Sequence, residues 1–310
     1  MSGEKRSNQT ASVRQRLLNI SKQKHEAFDL VLTRYALERF LYRLGKSPYS
    51  ERFLLKGAML FAIWGGEIHR PTRDIDFLGF GASDLPELKK VFTEICLQRV
   101  EPDGLEFLTE KMKIEEIREE QEYQGVRILF DAALGKAVIP LQVDIGFGDA
   151  VTPKAERINY PVVLDFPAPE LLAYPIYTVV SEKFQAMVWL GIANSRMKDF
   201  YDIWIMLNKF HFDGTTLAKA IEATFARRGT PLPTHPPIAL TKEFTEDGMK
   251  QNQWQAFIRR NGLSADSKLD HIVMALHDFL MPPTISLLGT SNFDAEWPPG
   301  GPWHHGIVNE

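Results

Sequence analysis

Two aspartates one residue apart are the first residues of this sequence whose types and spacing could do chemistry. Asp74 and Asp76 stand in the segment Arg-Asp-Ile-Asp-Phe. Because side chains alternate along a strand, Ile75 and Phe77 would face a core while the two carboxylates share the opposite face, within roughly 7 Å of each other. A divalent cation such as Mg²⁺ relieves their repulsion, since hard cations prefer carboxylate oxygens. Taken alone, the pattern is more typical of a solvated pair on an edge strand.

A third carboxylate, Asp144, could complete such a site. It lies in the segment Leu-Gln-Val-Asp-Ile-Gly, whose alternate apolar residues would form one face of a second strand and leave Asp144 and Gln142 on the other. If the two strands are neighbours, three carboxylates meet, and such a cluster can hold metal ions that clamp a transferring phosphoryl group. The alternative is a strand-end aspartate that caps the turn at 146–148.

A strand-to-helix turn, Lys56-Gly57-Ala58, is a candidate for binding phosphate. Glycine lets the backbone approach a ligand closely, and the free amide groups at a helix N-terminus favour an anion. Lys56 would add a positive charge. Glycine is common at such turns, so this feature indicates a phosphate site only together with the carboxylates.

Charged residues also crowd a short stretch of the C-terminal half, around a break between two predicted helices. Lys183 lies outside the apolar stripe of the first helix. In the second helix Asp199 and Asp202 share a face, and Lys198 can reach Asp202 one turn away. Together with Arg196, these charges exceed what solubility requires. The alternative interpretation is a surface ion-pair ladder that contributes about 0.5 kcal/mol or less.

Composition limits the class of protein. The 310 residues include 36 Lys or Arg and 40 Asp or Glu, for a net charge of −4, with 44% hydrophobic residues, which is typical of a soluble globular protein. The single cysteine, Cys96, excludes a disulfide framework and fits a reducing cytoplasm. Neither a membrane span of about 18 apolar residues nor a secretory signal is expected. Nucleic acid would have to bind through a local basic patch.

The sequence patterns around these residues predict an α+β fold, and the chain divides into four parts. Residues 1–25 are predicted to form a basic arm, a solvated helix or frayed terminus that could attract a polyanion. Residues 26–165 are predicted to form a domain with a mixed sheet, and residues 166–285 are predicted to form a helical domain. Residues 286–310 are rich in Pro and Gly and predict a tail or wrap-around loop. Helical periodicity in the third part covers 178–190, 195–209, 214–227 and 266–280.

Five motifs, taken in order, resemble the AbiEii/AbiGii abortive-infection toxins, nucleotidyltransferase-like proteins of bacterial type IV toxin–antitoxin pairs. They are K-G-A-x-L, R-P-T-R-D-I-D, V-D-I-G-F-G-D, S-E-K-x-x-A-M-V and N-S-R-M-K-D-F-Y-D, and the resemblance as a whole covers roughly residues 28–210. The resemblance implies a polymerase-β-like nucleotidyltransferase domain followed by a helical C-terminal domain. The family often has Gly or Ser after the first motif's glycine, where this chain has Ala58, so a hydroxyl contact is lost there while the backbone N–H remains.

The resemblance also implies roles for the candidate residues. Asp74 and Asp76 would hold Mg²⁺, or alternatively Mn²⁺, and the NTP triphosphate, with Asp144 as the third metal ligand. Lys183 would contact nucleotide phosphates, and Asp199 would either activate the acceptor hydroxyl or orient Lys183. Further residues are predicted to bind nucleotide or RNA phosphates: Lys56, Gly57, Arg73, Arg196 and Lys198.

The function that follows is Mg²⁺-dependent transfer of a nucleoside monophosphate from NTP to a hydroxyl. The resemblance implies RNA as the acceptor, a tRNA 3′ end above all, and a winged-helix transcriptional regulator as the antitoxin. Two alternatives remain open from the residues. One is a metal-dependent nuclease or phosphotransferase with the same carboxylates, and the other is a nucleotide-binding partner without catalysis.

Overall fold

The computed structural model describes residues 2–65, 72–118, 124–263, 268–289 and 292–305. Two compact units make up the chain. The first comprises Met1–Gly148 and Ala155–Tyr174, and the second comprises Asp149–Lys154 and Pro175–Glu310. The division falls after residue 174 rather than near the predicted 165, because a short strand at 170–173 pairs into the sheet of the first unit.

The first unit combines a β-sheet with α-helices that pack against it. In the described residues the strands are β1 (Phe53–Lys56), β2 (Asp74–Gly79), β3 (Glu106–Arg118), β4 (Gln124–Leu134), β5 (Ala137–Phe147), β6 (Glu156–Asn159) and β7 (Glu170–Ala173). The helices are α1 (Ser2–Lys24), α2 (Phe28–Lys46), α3 (Leu60–Gly65) and α4 (Leu85–Cys96). A 3-10 turn, Gly57–Met59, joins β1 to α3.

The strands form one seven-stranded sheet in the order β3-β4-β5-β2-β1-β7-β6. The pairs β2–β5 and β1–β7 are parallel and the others antiparallel, so the sheet is mixed. Alternation buries Ile75, Phe77 and Val143 on one face, and α2 packs against β5 and β7. The predicted α+β class, with a mixed sheet followed by a helical region, is confirmed.

The central helix α2 also buries charges, and each is paired. Arg43 donates two hydrogen bonds to Asp103, at 2.6 and 3.1 Å. The Glu38 carboxylate is fully buried and accepts from the Val163 amide at 2.6 Å, with the Arg39 guanidinium 3.4 Å away. Burial raises the pKa of Glu38 to about 7, against the lowering effect of these two neighbours. Desolvation therefore outweighs the hydrogen bonds at this carboxylate.

The described part of the predicted basic arm is a helix, and one edge of it is buried. Helix α1 places Val13 and Leu17, one turn apart, in the core against α2. Arg16 pairs with Asp165, and Arg14 lies over the Phe28 ring. The basic residues dominate the composition of this segment, so the narrow apolar edge was not identified from the sequence.

The second unit is mainly helical. The described helices are α5 (Ile176–Leu190), α6 (Met197–Lys209), α7 (Gly214–Arg227), α8 (Lys242–Glu246), α9 (Gly248–Asn261) and α10 (Leu269–Ser286). Three short strands, β8 (Phe212–Asp213), β9 (Ala295–Trp297) and β10 (His304–His305), form an antiparallel sheet in the order β10-β9-β8. None of the helices described in the chain has the length and apolar character of a membrane span.

The described part of the predicted tail packs into this unit. Trp297 is 3% exposed, and its indole N–H donates to the Leu207 carbonyl at 2.8 Å. The rings of Trp297 and Trp303 lie 5.0 and 5.6 Å from that of Phe279 on α10. Pro and Gly prevent a helix here, but the aromatic residues between them supply enough apolar surface to order the segment.

Candidate active site

The register of the central strands brings four charged residues into one line across the sheet. Lys56 on β1 pairs with Asp76 on β2, Asp76 with Asp144 on β5, and Asp144 with Arg127 on β4. Residues directly opposite each other share a face of the sheet, so these side chains lie on the same side. This charged row places two acids between two bases, on the face opposite the core residues Ile75 and Val143.

Three aspartates of this face form a carboxylate cluster: Asp74, Asp76 and Asp144. Each offers an oxygen that lies within 4.8 Å of the oxygens of the other two, and all three side chains are half-buried. The hydroxyl of Thr72 donates to Asp74 Oδ1 at 2.6 Å and orients that carboxylate. Three hard oxygen ligands at this spacing fit a divalent cation such as Mg²⁺ or Mn²⁺, which also relieves their mutual repulsion.

Asp144 is held from both sides. Arg127 donates from Nε to Oδ1 and from Nη2 to Oδ2, each at 2.8 Å, and Gln142 donates to Oδ2 at 3.0 Å. The hydrogen bond to Asp144 raises the pKa of Arg127 above its ordinary value, so the guanidinium stays charged. Sequence reasoning missed Arg127. The signal was alternation in Gly-Val-Arg-Ile-Leu, where the buried Val126 and Ile128 leave Arg127 on the opposite face.

Gly57 brings the turn after β1 against the cluster. Its φ is +76°, a conformation that L side chains rarely adopt. A Cβ at this position would lie 1.9 Å from Asp76 Oδ2, so only glycine leaves room for that carboxylate. The turn continues as a 3-10 segment and the six-residue helix α3. Lys56 is half-buried, with its ammonium 5.9 Å from the centre of the Tyr174 ring.

Arg73 immediately precedes β2 and lies outside the charged row. Its side chain is exposed and pairs with Asp29 of α2 at 2.9 Å. Such an exposed pair contributes about 0 to 1 kcal/mol and is easily exchanged for another anion. Two residues of the same motif, Arg70 and Pro71, lie outside the described residues.

In the second unit, Lys183 of α5 lies between two carboxylates of α6. Its Nζ donates to Asp199 Oδ1 at 2.6 Å and to Asp202 Oδ2 at 2.9 Å. The carboxylates are buried, whereas the Lys183 side chain is 15% exposed. We call these three residues the Lys183 trio. Asp202 therefore joins a buried ion-pair cluster between helices, and the spacing of Asp199 and Asp202 is not explained by a surface ladder alone.

The loop before α6 is fixed by a buried lysine. Lys250 of α9 is 3% exposed and donates to the Asn194 carbonyl at 2.9 Å. The Asn194 side chain in turn accepts from the Arg196 amide at 2.8 Å. Arg196 precedes the first turn of α6 and is half-buried, while Lys198 is exposed. These contacts hold the loop that precedes α6, the helix that carries Asp199 and Asp202.

Three comparisons with known proteins show what the chain is similar to. The family described as nucleotidyl transferase AbiEii toxin, type IV TA system, matches residues 39–275. A comparison with curated proteins finds no match. Among solved structures, JHP933 from Helicobacter pylori is 14% identical, covers 81% of this chain and 93% of its own, and has a TM-score of 0.46. A second H. pylori structure, provisionally described as a nucleotidyltransferase, is 15% identical, covers 82% and 95%, and has a TM-score of 0.46.

Proposed function

Because the chain belongs to the AbiEii nucleotidyltransferase toxin family of type IV toxin–antitoxin systems, we propose that it transfers a nucleoside monophosphate from NTP to the 3′ end of a tRNA. The enzyme is a nucleotidyltransferase, and the proposal concerns its metal, its acceptor and its residues. The observation that carries the proposal is the carboxylate cluster, in which three acids from two adjacent strands meet on one face.

The reaction exchanges the phosphoanhydride bond between the α- and β-phosphates of NTP for a phosphodiester bond to the acceptor. The 3′ oxygen of the acceptor bonds to the α-phosphorus of NTP as the bond to the bridging oxygen breaks. Pyrophosphate leaves, and the hydroxyl proton passes to a carboxylate or to water. A Mg²⁺ ion held by the carboxylate cluster would neutralise charge on the triphosphate and on the departing pyrophosphate, and Mn²⁺ could replace it. The protein contributes mainly position and charge.

In the first unit, the residues around the cluster have complementary roles in this proposal. Asp74, Asp76 and Asp144 hold the metal ion. Lys56 sits beside Asp76 on the charged row and supplies a cation for the triphosphate. Gly57 keeps the turn close to Asp76, and Arg73 exchanges its exposed pairing with Asp29 for a phosphate.

In the second unit, we assign Lys183 a contact to nucleotide phosphates, as the family resemblance implies. Asp199 then orients Lys183 rather than activating the hydroxyl, because its buried Oδ1 already accepts from Lys183 Nζ at 2.6 Å. Arg196 and the exposed Lys198 contact phosphates of the nucleotide or RNA. Contacts of that kind make RNA binding weaken as salt concentration rises.

The test of the reaction is incorporation of label from NTP into tRNA. Purified protein is incubated with total tRNA, Mg²⁺ and NTP labelled in either the α- or the γ-phosphate. Nucleotidyl transfer places α-label in RNA and releases γ-label as pyrophosphate. A phosphotransferase would place γ-label in RNA, and a nuclease would shorten the RNA without NTP. Either of those results would overturn the proposal.

Matched variants connect the reaction to the site. Asp74→Ala and Lys183→Ala are expected to abolish incorporation. The control is Asp131→Asn. Asp131 lies on the same face of β4 as Arg127, but it is paired with Pro140 rather than with Asp144 and so lies outside the cluster. Its incorporation should equal that of the unchanged protein. Label that survives in both Asp74→Ala and Lys183→Ala would exclude this site.

The partner in this proposal is a cognate antitoxin, a winged-helix transcriptional regulator. Unrestrained transfer to tRNA would arrest translation, so expression of the toxin alone should stop growth. Co-expression with the regulator should restore growth, and Asp74→Ala should make the regulator unnecessary. Growth arrest that persists in the Asp74→Ala variant would separate toxicity from nucleotidyl transfer.

A further inference from the structure

Arg127 is the charged residue of the row that belongs to none of the five sequence motifs. It lies on β4, directly opposite Asp144 of β5. Its guanidinium faces the Asp144 carboxylate edge to edge, with two hydrogen bonds of 2.8 Å. A fork of two parallel bonds fixes both the distance and the plane of a carboxylate, which a single point charge does not do.

The hydrogen bonds that Asp144 accepts restrict how its carboxylate can bind a cation. An ionised carboxylate has about four acceptor positions on its two oxygens. Arg127 occupies one on each oxygen, and Gln142 occupies another on Oδ2 at 3.0 Å. Counting the donors among the residues that the structure describes, one position remains. Asp144 can therefore act as a metal ligand through a single oxygen only, and the two donors determine where that oxygen points.

The charge of Arg127 also matches the cluster to a divalent ion. The three carboxylates bring three negative charges within 4.8 Å, and the guanidinium offsets one of them. Counted over these four side chains, the remaining charge of −2 is opposite in sign and equal in magnitude to that of Mg²⁺ or Mn²⁺. Residues that hydrogen-bond a ligand set its orientation, and their replacement typically weakens metal binding by 10- to 100-fold.

We propose that Arg127 is the positioning residue of the metal site, which holds Asp144 as a single-oxygen ligand aimed at Asp74 and Asp76. The inference rests on the proposed metal site but not on the acceptor or on catalysis. Arg127 touches neither the nucleotide nor the reacting atoms in this account. Its effect is exerted through Asp144.

The test measures binding of Mn²⁺ to the full chain in the absence of NTP. The electron paramagnetic resonance signal of free Mn²⁺ reports how much is bound, and Mg²⁺ is added as a competitor. Arg127→Lys keeps the positive charge but cannot form the fork, so it isolates orientation from charge. We expect its Mn²⁺ dissociation constant to rise by about 10-fold or more. Arg157→Lys is the control, because Arg157 of β6 makes an exposed pair with Glu51 in the same unit.

A double-variant cycle separates positioning from a general effect on the fold. In an Asp144→Asn background, Arg127→Lys should change the residual Mn²⁺ affinity by less than 2-fold, because the residue it positions is no longer a carboxylate. A loss of similar size in both backgrounds would indicate a structural role and overturn the inference. Thermal unfolding in EDTA checks that each variant is folded, and Arg127→Gln provides a second variant if Arg127→Lys is unstable.

Three other results of the Mn²⁺ titration would also decide between the possibilities. Mn²⁺ binding by Arg127→Lys equal to that of the unchanged protein would overturn the inference. Tighter binding would do so as well, because it would mean that Arg127 competes with the metal for Asp144. Absence of saturable Mn²⁺ binding in the unchanged protein would instead overturn the proposed metal site itself.

Discussion

The carboxylate of Asp76 lies against the α-carbon of Gly57, with no space for a side chain between them. A Cβ built on Gly57 would lie 1.9 Å from Asp76 Oδ2 and 2.7 Å from its Cγ. The glycine therefore does two things at once. It adopts a φ of +76°, and it lets the turn after β1 close over the acid on the neighbouring strand. This contact joins the predicted phosphate-binding turn to the predicted metal ligand.

Replacement of Gly57 by alanine is expected to displace Asp76 and weaken Mn²⁺ binding by about 10-fold or more. The matched control is Gly81→Ala, because Gly81 has a similar φ of +84° but no atom of the described residues lies within 4 Å of a Cβ built on it. Both variants should lose about 1 kcal/mol of stability from backbone strain. Only Gly57→Ala should lose metal affinity, and equal affinity in the two variants would contradict the role of this contact.

Removal of one acid from the cluster should separate stability from metal binding. Asp74→Asn relieves repulsion among three carboxylates, so in EDTA the variant should be as stable as the unchanged protein or up to about 1 kcal/mol more stable. Added Mg²⁺ or Mn²⁺ should raise the melting temperature of the unchanged protein and of Asp131→Asn, but not that of Asp74→Asn. The prediction fails if the metal stabilises Asp74→Asn equally.

Variants of the Lys183 trio are expected to differ in stability in an unusual order. Lys183→Met leaves Asp199 and Asp202 buried without this ammonium and should cost roughly 3 to 5 kcal/mol. The triple variant Lys183→Met, Asp199→Asn, Asp202→Asn should be more stable than the single one, because it removes the buried charges. Lys198→Met, on the exposed side of α6, should change stability by less than about 0.5 kcal/mol. Urea unfolding at pH 7 measures all three, and a triple variant less stable than Lys183→Met would refute this account.

Buried Glu38 predicts a pH dependence of stability. Its folded-state pKa is raised from 4.5 to about 7, so between these values the folded protein binds more protons than the unfolded chain. The free energy of unfolding, measured relative to Glu38→Gln, should therefore fall as pH rises from 4.5 to 7, by up to about 3 kcal/mol, and level off above 7. Glu106→Gln, at an exposed position of β3, should show no such dependence. A relative stability that is flat across this range would contradict the raised pKa.

The C-terminal segment should contribute to the stability of the second unit. Trp297→Ala removes a buried ring and its hydrogen bond to Leu207, and we expect a loss of roughly 3 to 5 kcal/mol. Trp189→Ala is the control, because that side chain is 53% exposed. Thermal unfolding compares the two. Similar melting temperatures would mean that the segment is only a tail.

Local patterns predicted much of the fold. Helical periodicity at 178–190, 195–209 and 214–227 corresponds to α5, α6 and α7, because an apolar stripe and a break at each end are local signals. Helices α8 and α9 were not predicted. The predicted tail was interpreted from its Pro and Gly content, and the aromatic contacts that order it involve Phe279 and Leu207, which are distant in sequence.

Within the candidate site, alternation alone determined that Asp74 and Asp76 share a face and that Asp144 lies opposite its apolar neighbours. Alternation has a period of two residues, and it states which face a side chain occupies without stating which strand lies beside it. Only the tertiary structure decided that Asp144 stands next to Asp76, that Arg127 completes the row, and that Asp202 turns toward Lys183. Strand order and helix packing depend on burial of the whole core, which no single segment encodes.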